Sequence, residues 1–168
     1  TACAAIPLGN PDFGPITLNN QTNFCANNIL EPIPSCFGTN MSVWYEFIAP
    51  STGIVEIALE SDVLNVGDYI DLQVAVFAAD GDSCNGAMTE VGCGYNEFLP
   101  LFDANNENLT VRCLEPGRPY WIMVDGSDDP DDVDGFFDIT LSEVPGPGPL
   151  TNDSICQATP LGAVPANG

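Results

Sequence analysis

The sequence predicts an all-β protein, an antiparallel, jelly-roll-like β-sandwich that is stapled by disulfides. Short segments alternate apolar and polar residues, and clusters of Pro, Gly, Asn and Asp separate them. No segment keeps the 3.6-residue apolar period of an amphipathic helix. Several short strands with such turn signals are typical of a sandwich. Hydrophobic residues make up 45% of the chain, which is enough for a packed core despite the charge.

The strand pattern recurs along the chain. A Pro-, Asn- and Gly-rich leader carries one short signal at residues 15–18. Residues 42–50 and 53–61 alternate strictly, and the turn chemistry between them predicts a β-hairpin. Further strands are expected in residues 69–81, 86–94 and 135–144. Residues 107–126 predict two strands joined by a Pro-Gly turn.

The end of the chain matches its beginning. The residues Cys-x-Ala-x-Pro-Leu-Gly at positions 3–9 recur without a gap at positions 156–162. A match at a fixed period marks a tandem array. We therefore expect residues 1–143 to form one sandwich repeat, residues 144–150 to form a stiff Pro/Gly linker, and residues 151–168 to open a following repeat.

A second interpretation of the tail is a donor strand that adds to a neighbouring copy. A head-to-tail contact of this kind propagates into a fibre. In both interpretations Cys156, Pro160 and Leu161 contribute inter-repeat contacts, and the partners are copies of this chain or neighbouring repeats.

The charge excludes several classes of partner. Acidic residues number 24 against two arginines, with no lysine and no histidine, so the formal net charge is −22. Nucleic acid needs Lys and Arg to neutralise its phosphates, and it is excluded. Anionic membrane surfaces are excluded for the same reason. No apolar run approaches the roughly 20 residues of a membrane helix, so no membrane insertion is expected.

The cysteines predict disulfides. Seven cysteines without a histidine favour disulfides over zinc. Cys84 and Cys93 flank a short Gly-containing loop and are expected to pair. The other expected bonds are Cys3–Cys36 and Cys25–Cys113, although sequence does not fix connectivity. Disulfides form outside the cytosol, so we expect an extracellular or cell-surface location.

Aspartates supply two candidate calcium sites. Calcium takes roughly six to eight oxygen ligands, which closely spaced aspartates with glycine turns can provide. We expect such a site in residues 125–135, with a solvated acidic loop as the alternative. Its aspartates are Asp125, Asp128, Asp129, Asp131, Asp132 and Asp134. The second, more scattered set flanks the third main strand and consists of Asp62, Asp68, Asp71, Asp80 and Asp82.

Catalytic machinery is scarce. Without histidine or lysine the chain has no Ser-His, Cys-His or Schiff-base system. A carboxylate pair remains, drawn from Glu46, Glu56, Asp71 and Glu90, but solvated strand faces account for these residues better. We assign no catalytic residue and expect that the protein is not an enzyme.

Two adjacent aromatic pairs, Trp44–Tyr45 and Tyr120–Trp121, are candidate platforms for sugars. Because side chains alternate across a strand, we expect instead that one member of each pair packs in the core.

The order of the strand motifs resembles a known family. "SVWYEFIAPSTGIVEIAL", "DLQVAVFAADG", "LTVRCLEPGRPYWIMV" and "GFFDITL" follow one another as in the bacterial pre-peptidase C-terminal domain. The likeness is greatest to the Cys-containing versions found in tandem on secreted and surface proteins of Bacteroidetes, whose repeats open much like "TNDSICQATPL". The resemblance implies a jelly-roll-like sandwich, secretion and a non-catalytic role. The string Asp-Ser-Ile also resembles a Bacteroidetes O-glycosylation string, which implies a glycan on Ser154.

We therefore expect a structural repeat of a surface fibre or adhesin. The alternative, from another functional class, is a carbohydrate- or protein-binding module of a secreted hydrolase, for which glycans would be the partners.

Overall fold

The structure is a computed structural model, and it describes residues 1–29, 31–61, 70–95, 106–127 and 134–146. Within these ranges the chain forms nine strands and three short 3-10 turns, the latter at Ala2–Ala4, Pro11–Phe13 and Asp80–Asp82. The strands are β1 Ile6–Gly9, β2 Ile16–Thr22, β3 Val43–Ile48, β4 Val55–Ser61, β5 Leu72–Ala79, β6 Met88–Tyr95, β7 Glu107–Val111, β8 Pro119–Gly126 and β9 Phe136–Glu143.

The strands form two sheets. Sheet A has the order β1-β3-β8-β5-β6, and sheet B has the order β2-β9-β4-β7. Neighbouring strands are antiparallel except for β1, which pairs in parallel with β3 at the edge of sheet A. The antiparallel β-sandwich that the sequence predicts is confirmed. The short strand β1 was not predicted.

The main core lies between the sheets. Sheet A contributes alternate residues such as Tyr45, Phe47 and Val74, and sheet B contributes residues such as Ile57 and Phe137, all at most 1% exposed. Each such large apolar side chain stabilises the fold by about 1.5–3 kcal/mol when it leaves water. The inward faces therefore follow the alternation that the sequence shows.

The predicted hairpin between residues 42–50 and 53–61 is wrong. β3 lies in sheet A and β4 lies in sheet B, so the turn between them crosses from one layer to the other. Gly53 makes the crossing possible because it adopts φ +65°, and a Cβ there would lie 2.4 Å from the carbonyl oxygen of Leu114. The turn residues predict a reversal, but they do not distinguish a hairpin from a crossing.

Sheet A has a second apolar cluster on its outer face. Trp44, Phe77, Trp121 and Met123 are each at most 4% exposed there, and Phe37 packs against them. The covering segment, residues 31–42, is here called the strap. Glu31 of the strap accepts a hydrogen bond from Trp44 Nε1 of β3, Cys36 is bonded to Cys93 of β6, and Ser42 directly precedes β3. The cover by the strap explains why β5 and β8 are apolar on both faces.

Two disulfides tie segments to this outer face. Cys3 is bonded to Cys84, and Cys36 of the strap is bonded to Cys93 of β6. The first closes the opening segment onto the turn between β5 and β6. The second fixes the strap across the sheet. In the chain-entropy description each bond stabilises the fold by about 4 kcal/mol, since both close long loops.

The predicted pairings Cys84–Cys93, Cys3–Cys36 and Cys25–Cys113 are all wrong. Residues from Met88 onward run along β6, which carries Cys93 roughly 17 Å away from the turn that holds Cys84. A disulfide needs Cα atoms within about 7 Å. Cys25 is an exposed free cysteine, whereas Cys113 is disulfide-bonded.

Candidate functional site

Among the described residues, four carboxylates lie at one end of the sandwich, which we call the acidic end: Asp71, Glu107, Asp125 and Asp134. At this end β3, β5, β7 and β9 begin, and β4, β6 and β8 finish. The antiparallel order of the sheets brings residues that are distant in sequence together here. Asp134 and Asp125 belong to the first predicted calcium set, and Asp71 belongs to the second.

Glu107 is the most enclosed acid on the inner face of the acidic end. It opens β7 opposite Leu59, and only 8% of the residue is exposed. Its carboxylate lies against Gly94 of β6, where a Cβ would stand 2.6 Å from Glu107 Oε1. Burial raises the pKa of Glu107, a hydrogen bond from the Asn108 backbone lowers it, and the nearby charge of Asp71 raises it further.

Ser61 lies beside Glu107. It ends β4 on the inward face, and its backbone N–H donates to Asn106 Oδ1 at 3.2 Å. Since Leu59 opposes Glu107, Ser61 is the diagonal neighbour of Glu107 on the inner face of sheet B. Ser61 is 8% exposed, and its hydroxyl oxygen is buried without a hydrogen-bond partner. Buried polar atoms of this kind are uncommon in folded proteins.

Asp125 occupies the outer face of the acidic end. It is fully buried under the strap. Its Oδ1 accepts hydrogen bonds from the backbone N–H groups of Met41 and Gly126, both at 2.8 Å. Its Oδ2 accepts from the Asn40 backbone N–H at 2.9 Å and the Ser42 hydroxyl at 2.7 Å. Burial raises the pKa of Asp125, and these hydrogen bonds partly offset the rise.

The structure therefore describes only two members of the first predicted calcium set, Asp125 and Asp134. Asp125 uses both of its oxygens to hold the strap, and it would have to release donors in order to bind an ion. Asp134 lies next to Gly135, whose N–H donates to Asn23 Oδ1 at 2.9 Å. The other four members, Asp128, Asp129, Asp131 and Asp132, lie outside the described residues.

The second predicted set is divided by the fold. Asp71 precedes β5, whereas Asp80 and Asp82 follow it, so the eight-residue strand separates them by about 26 Å. Asp82 pairs instead with Arg118. Asp62 and Asp68 lie outside the described residues. Across the described ranges no three His, Cys, Asp or Glu side chains are grouped as metal ligands, and a calcium site stays a prediction.

Both basic side chains lie at the opposite end of the sandwich. Arg112 follows the last residue of β7, and Arg118 precedes β8, where it also donates to the carbonyl oxygen of Ala79 at 3.0 Å. The whole chain has no lysine or histidine. No basic side chain is therefore available to neutralise the carboxylates of the acidic end.

The two aromatic pairs are buried on both sides of sheet A. Tyr45 and Tyr120 belong to the main core, as predicted. Trp44 and Trp121 are also buried, in the outer cluster, and Trp44 Nε1 donates to Glu31 Oε1 of the strap at 2.9 Å. None of the four rings is open to a sugar. The apolar runs on both faces of β5 and β8 were the sequence signal for this cover.

The carboxylates that we weighed for catalysis do not converge. Glu46 lies on β3 and Glu56 on the exposed face of β4 in the other sheet. Glu90 accepts two hydrogen bonds from Ser35 of the strap, from the backbone N–H and from the hydroxyl, both at 2.6 Å. These contacts are structural.

Sequence reasoning missed Glu107 and Ser61. Both stand at positions where the alternation of their strand requires an apolar residue, in series with Leu109 and Val111 or with Ile57 and Leu59. A polar residue on an otherwise apolar face was the available signal. The predicted inter-repeat residues Cys156, Pro160 and Leu161 and the glycosylation candidate Ser154 lie outside the described residues.

Comparisons with known proteins bear on the fold alone. No protein-family model matches the chain, and no curated protein matches it. Among solved structures, the fold is similar to CorA, a surface-associated copper-binding protein important in copper acquisition by Methylomicrobium album BG8. The TM-score is 0.50 at 13% identity, and the alignment covers 84% of this chain and 99% of that one. In the part of the chain that the structure describes, no helix has the length and hydropathy needed to cross a bilayer.

Proposed function

We propose that this chain is a non-catalytic structural repeat of an extracellular surface fibre or adhesin, in which sandwiches join linearly from head to tail. The proposal rests on one observation: the repeated opening segment is folded into the sandwich, through a disulfide and a paired strand. Its Cys3 is bonded to Cys84, and its strand β1 pairs with β3. Residues 156–162 repeat this segment, so they have the sequence of the first strand of another sandwich.

Other features of the chain suit that role. Long-range disulfides on the outer face indicate an oxidising compartment and resist unfolding under load. The charge of −22 keeps neighbouring copies apart except where a specific contact joins them. The proline-rich sequence that follows β9 is typical of a semi-rigid spacer, which suits a connection between sandwiches.

The family and location that the sequence resemblance implies belong to the same proposal. A pre-peptidase C-terminal-like repeat of a secreted Bacteroidetes protein has the fold class, disulfides and tandem opening seen here. The disulfides support the surface location, and a surface-associated protein has a similar fold. The copper binding of that protein is not carried over to this chain, which has no histidine.

Immunogold electron microscopy of native cells tests the proposal. Antibodies raised against the recombinant chain should label filaments outside the cell at a regular spacing. Labelling confined to a soluble fraction that copurifies with hydrolase activity would contradict the fibre and favour the accessory module. A glycan array should show no binding by the recombinant chain, since the four core-strand aromatic rings are covered.

A further inference from the structure

We propose that Cys113 is bonded to Cys156, and that this disulfide fastens the second opening segment, residues 156–162, to the sandwich. The bond deepens the proposed function, on which its mechanical role rests, because it is a covalent contact between one repeat and the start of the next. The bond itself does not depend on fibre assembly.

The cysteine count leaves one partner for Cys113. The chain has seven cysteines. Four of them form the two bonds on the outer face of sheet A, Cys3–Cys84 and Cys36–Cys93. Cys25 is free, whereas Cys113 is disulfide-bonded. Cys156 is the one cysteine that remains, so a bond within the chain joins it to Cys113.

Cys113 lies close to the point where the chain leaves the sandwich. Val55 of β4 is paired with Val111 of β7 on one side and with Glu143 of β9 on the other. The ends of β7 and β9 are therefore two strand spacings apart, or roughly 10 Å. Cys113 follows β7 by two residues and is exposed. It is thus open to a bond from the sequence that follows β9.

The turn between β3 and β4 holds both segments. The Leu114 N–H donates to the carbonyl oxygen of Gly53, and the Val144 N–H donates to that of Ile54, both at 3.0 Å. Two neighbouring residues of one turn therefore fix the backbone next to Cys113 and the backbone that follows β9.

The sequence after β9 is long enough to reach Cys113. Ten residues separate Gly146 from Cys156. An extended segment of ten residues spans at most roughly 35 Å, which is well beyond the distance between the ends of β7 and β9. The Cα atoms of the two cysteines can therefore come within the roughly 7 Å that a disulfide needs.

The bond forms by the same chemistry as the two on the outer face. The Cys113 and Cys156 thiols give up two protons, and their two electrons reduce the disulfide of an oxidising thiol–disulfide oxidoreductase to a dithiol. Such oxidants act outside the cytosol, where the two outer-face bonds also form.

The bond changes the path of force through the sandwich. A pull along the chain crosses this bond and the Cys3–Cys84 bond, so the residues that each bond encloses are not extended. Residues 4–83 contain β1 to β5, and residues 114–155 contain β8 and β9. Only residues 84–113, with β6 and β7, lengthen under load. A repeat built in this way keeps a surface array short under tension.

Tryptic digestion without reduction tests the bond. Arg112 and Arg118 are the only basic residues of the chain, and proline follows Arg118, which prevents cleavage there. Trypsin therefore cuts between Arg112 and Cys113, and the fragment 113–168 holds Cys113 and Cys156 but no other cysteine.

We expect this fragment to separate from residues 1–112 in denaturant, to be lighter by two hydrogen atoms than its reduced form, and to take up no iodoacetamide before reduction. A fragment that stays joined to residues 1–112 or to a second copy, or that takes up iodoacetamide, overturns the proposal. These results concern the bond alone, whereas immunogold labelling concerns the fibre, so the two failures are distinguishable.

Single-molecule stretching of the oxidised chain, held at its two ends, tests the force path. The native sequence should gain roughly 10 nm of contour length on unfolding, the extended length of residues 84–113. Cys113→Ser/Cys156→Ser should gain roughly 25 nm, because residues 114–155 are then also released. Cys25→Ser, at the exposed free cysteine, should match the native sequence. Equal gains in the native sequence and the double variant overturn the proposal.

Discussion

Ser42 donates its hydroxyl hydrogen to Asp125 Oδ2 across 2.7 Å, inside the contact between the strap and sheet A. The same carboxylate accepts from the backbone N–H groups of Asn40 and Met41. Asp125 therefore holds three successive residues of the strap at the point where the chain enters β3. Because Asp125 is fully buried, no water replaces these donors when the strap is closed.

Asp125→Asn should destabilise the fold by about 2–4 kcal/mol. The amide nitrogen of asparagine would face N–H donors, and at least two of them would lose their acceptor in a buried place. Urea unfolding measures the loss. Asp138→Asn is the matched control, since Asp138 accepts a single hydrogen bond, from the exposed Asn20 N–H, and the change should cost less than about 1 kcal/mol. Equal losses in the two variants would show that Asp125 has no anchoring role.

The two tryptophans of the chain report on the strap. Trp44 and Trp121 both lie in the outer cluster, against which Phe37 of the strap packs, so their fluorescence should respond when the strap is released. The double change Cys36→Ser/Cys93→Ser should shift tryptophan emission to the red, increase quenching by acrylamide and cost about 2–5 kcal/mol of stability. Cys25→Ser, at the exposed free cysteine, should change none of these. Unchanged emission in the double variant would mean that the disulfide does not hold the strap.

The stability of the chain should fall as the pH rises. The pKa of Glu107 is raised in the folded state above its ordinary value of 4.5, so the folded state binds more protons than the unfolded state above that pH. Stability is then greatest at low pH and is lost from about pH 4.5 up through the raised pKa. Urea unfolding in EDTA at several pH values measures the slope. Glu107→Gln should flatten it, and an unchanged slope in that variant would assign the dependence to other groups.

Gly94→Ala should destabilise the fold by about 1 kcal/mol, because the new methyl group overlaps Glu107 Oε1 and the carboxylate has to shift in a buried place. The cost should shrink in a Glu107→Ala background, where the overlapping group is gone, and a double-mutant cycle measures the coupling. Gly146→Ala is the control, since a Cβ there makes only ordinary contacts at 3.8 Å with Thr52. A coupling energy of zero would show that Gly94 and Glu107 do not contact each other.

Much of the strand layout was accessible from the sequence. Alternation placed Leu72, Val74 and Val76 on one face, and the structure buries all three. Apolar residues on the other faces of β5 and β8 also signalled a cover, although not which segment provides it. The strap lies in an irregular segment, and its position depends on side-chain anchors such as Asp125 that periodicity does not reveal.

The pairing of segments that are distant in the chain could not be predicted from the sequence. The partner of Cys36 is Cys93 because the strap crosses sheet A to β6, which is a property of the whole sheet order. Likewise, the layer crossing at Gly53 and the meeting of Ser61 with Glu107 depend on which sheet each strand joins. Local turn chemistry carries no information about that choice.

The central claim is that this sandwich is one unit of a linear extracellular array. The intact mass of the native protein, measured with and without reduction of disulfides, tests it most directly. The account predicts either a reduced mass well above the 17.8 kDa of this sequence, as for a covalent array of repeats, or species near 17.8 kDa that sediment as long polymers. A native species near 17.8 kDa that stays monomeric with and without reduction would contradict it.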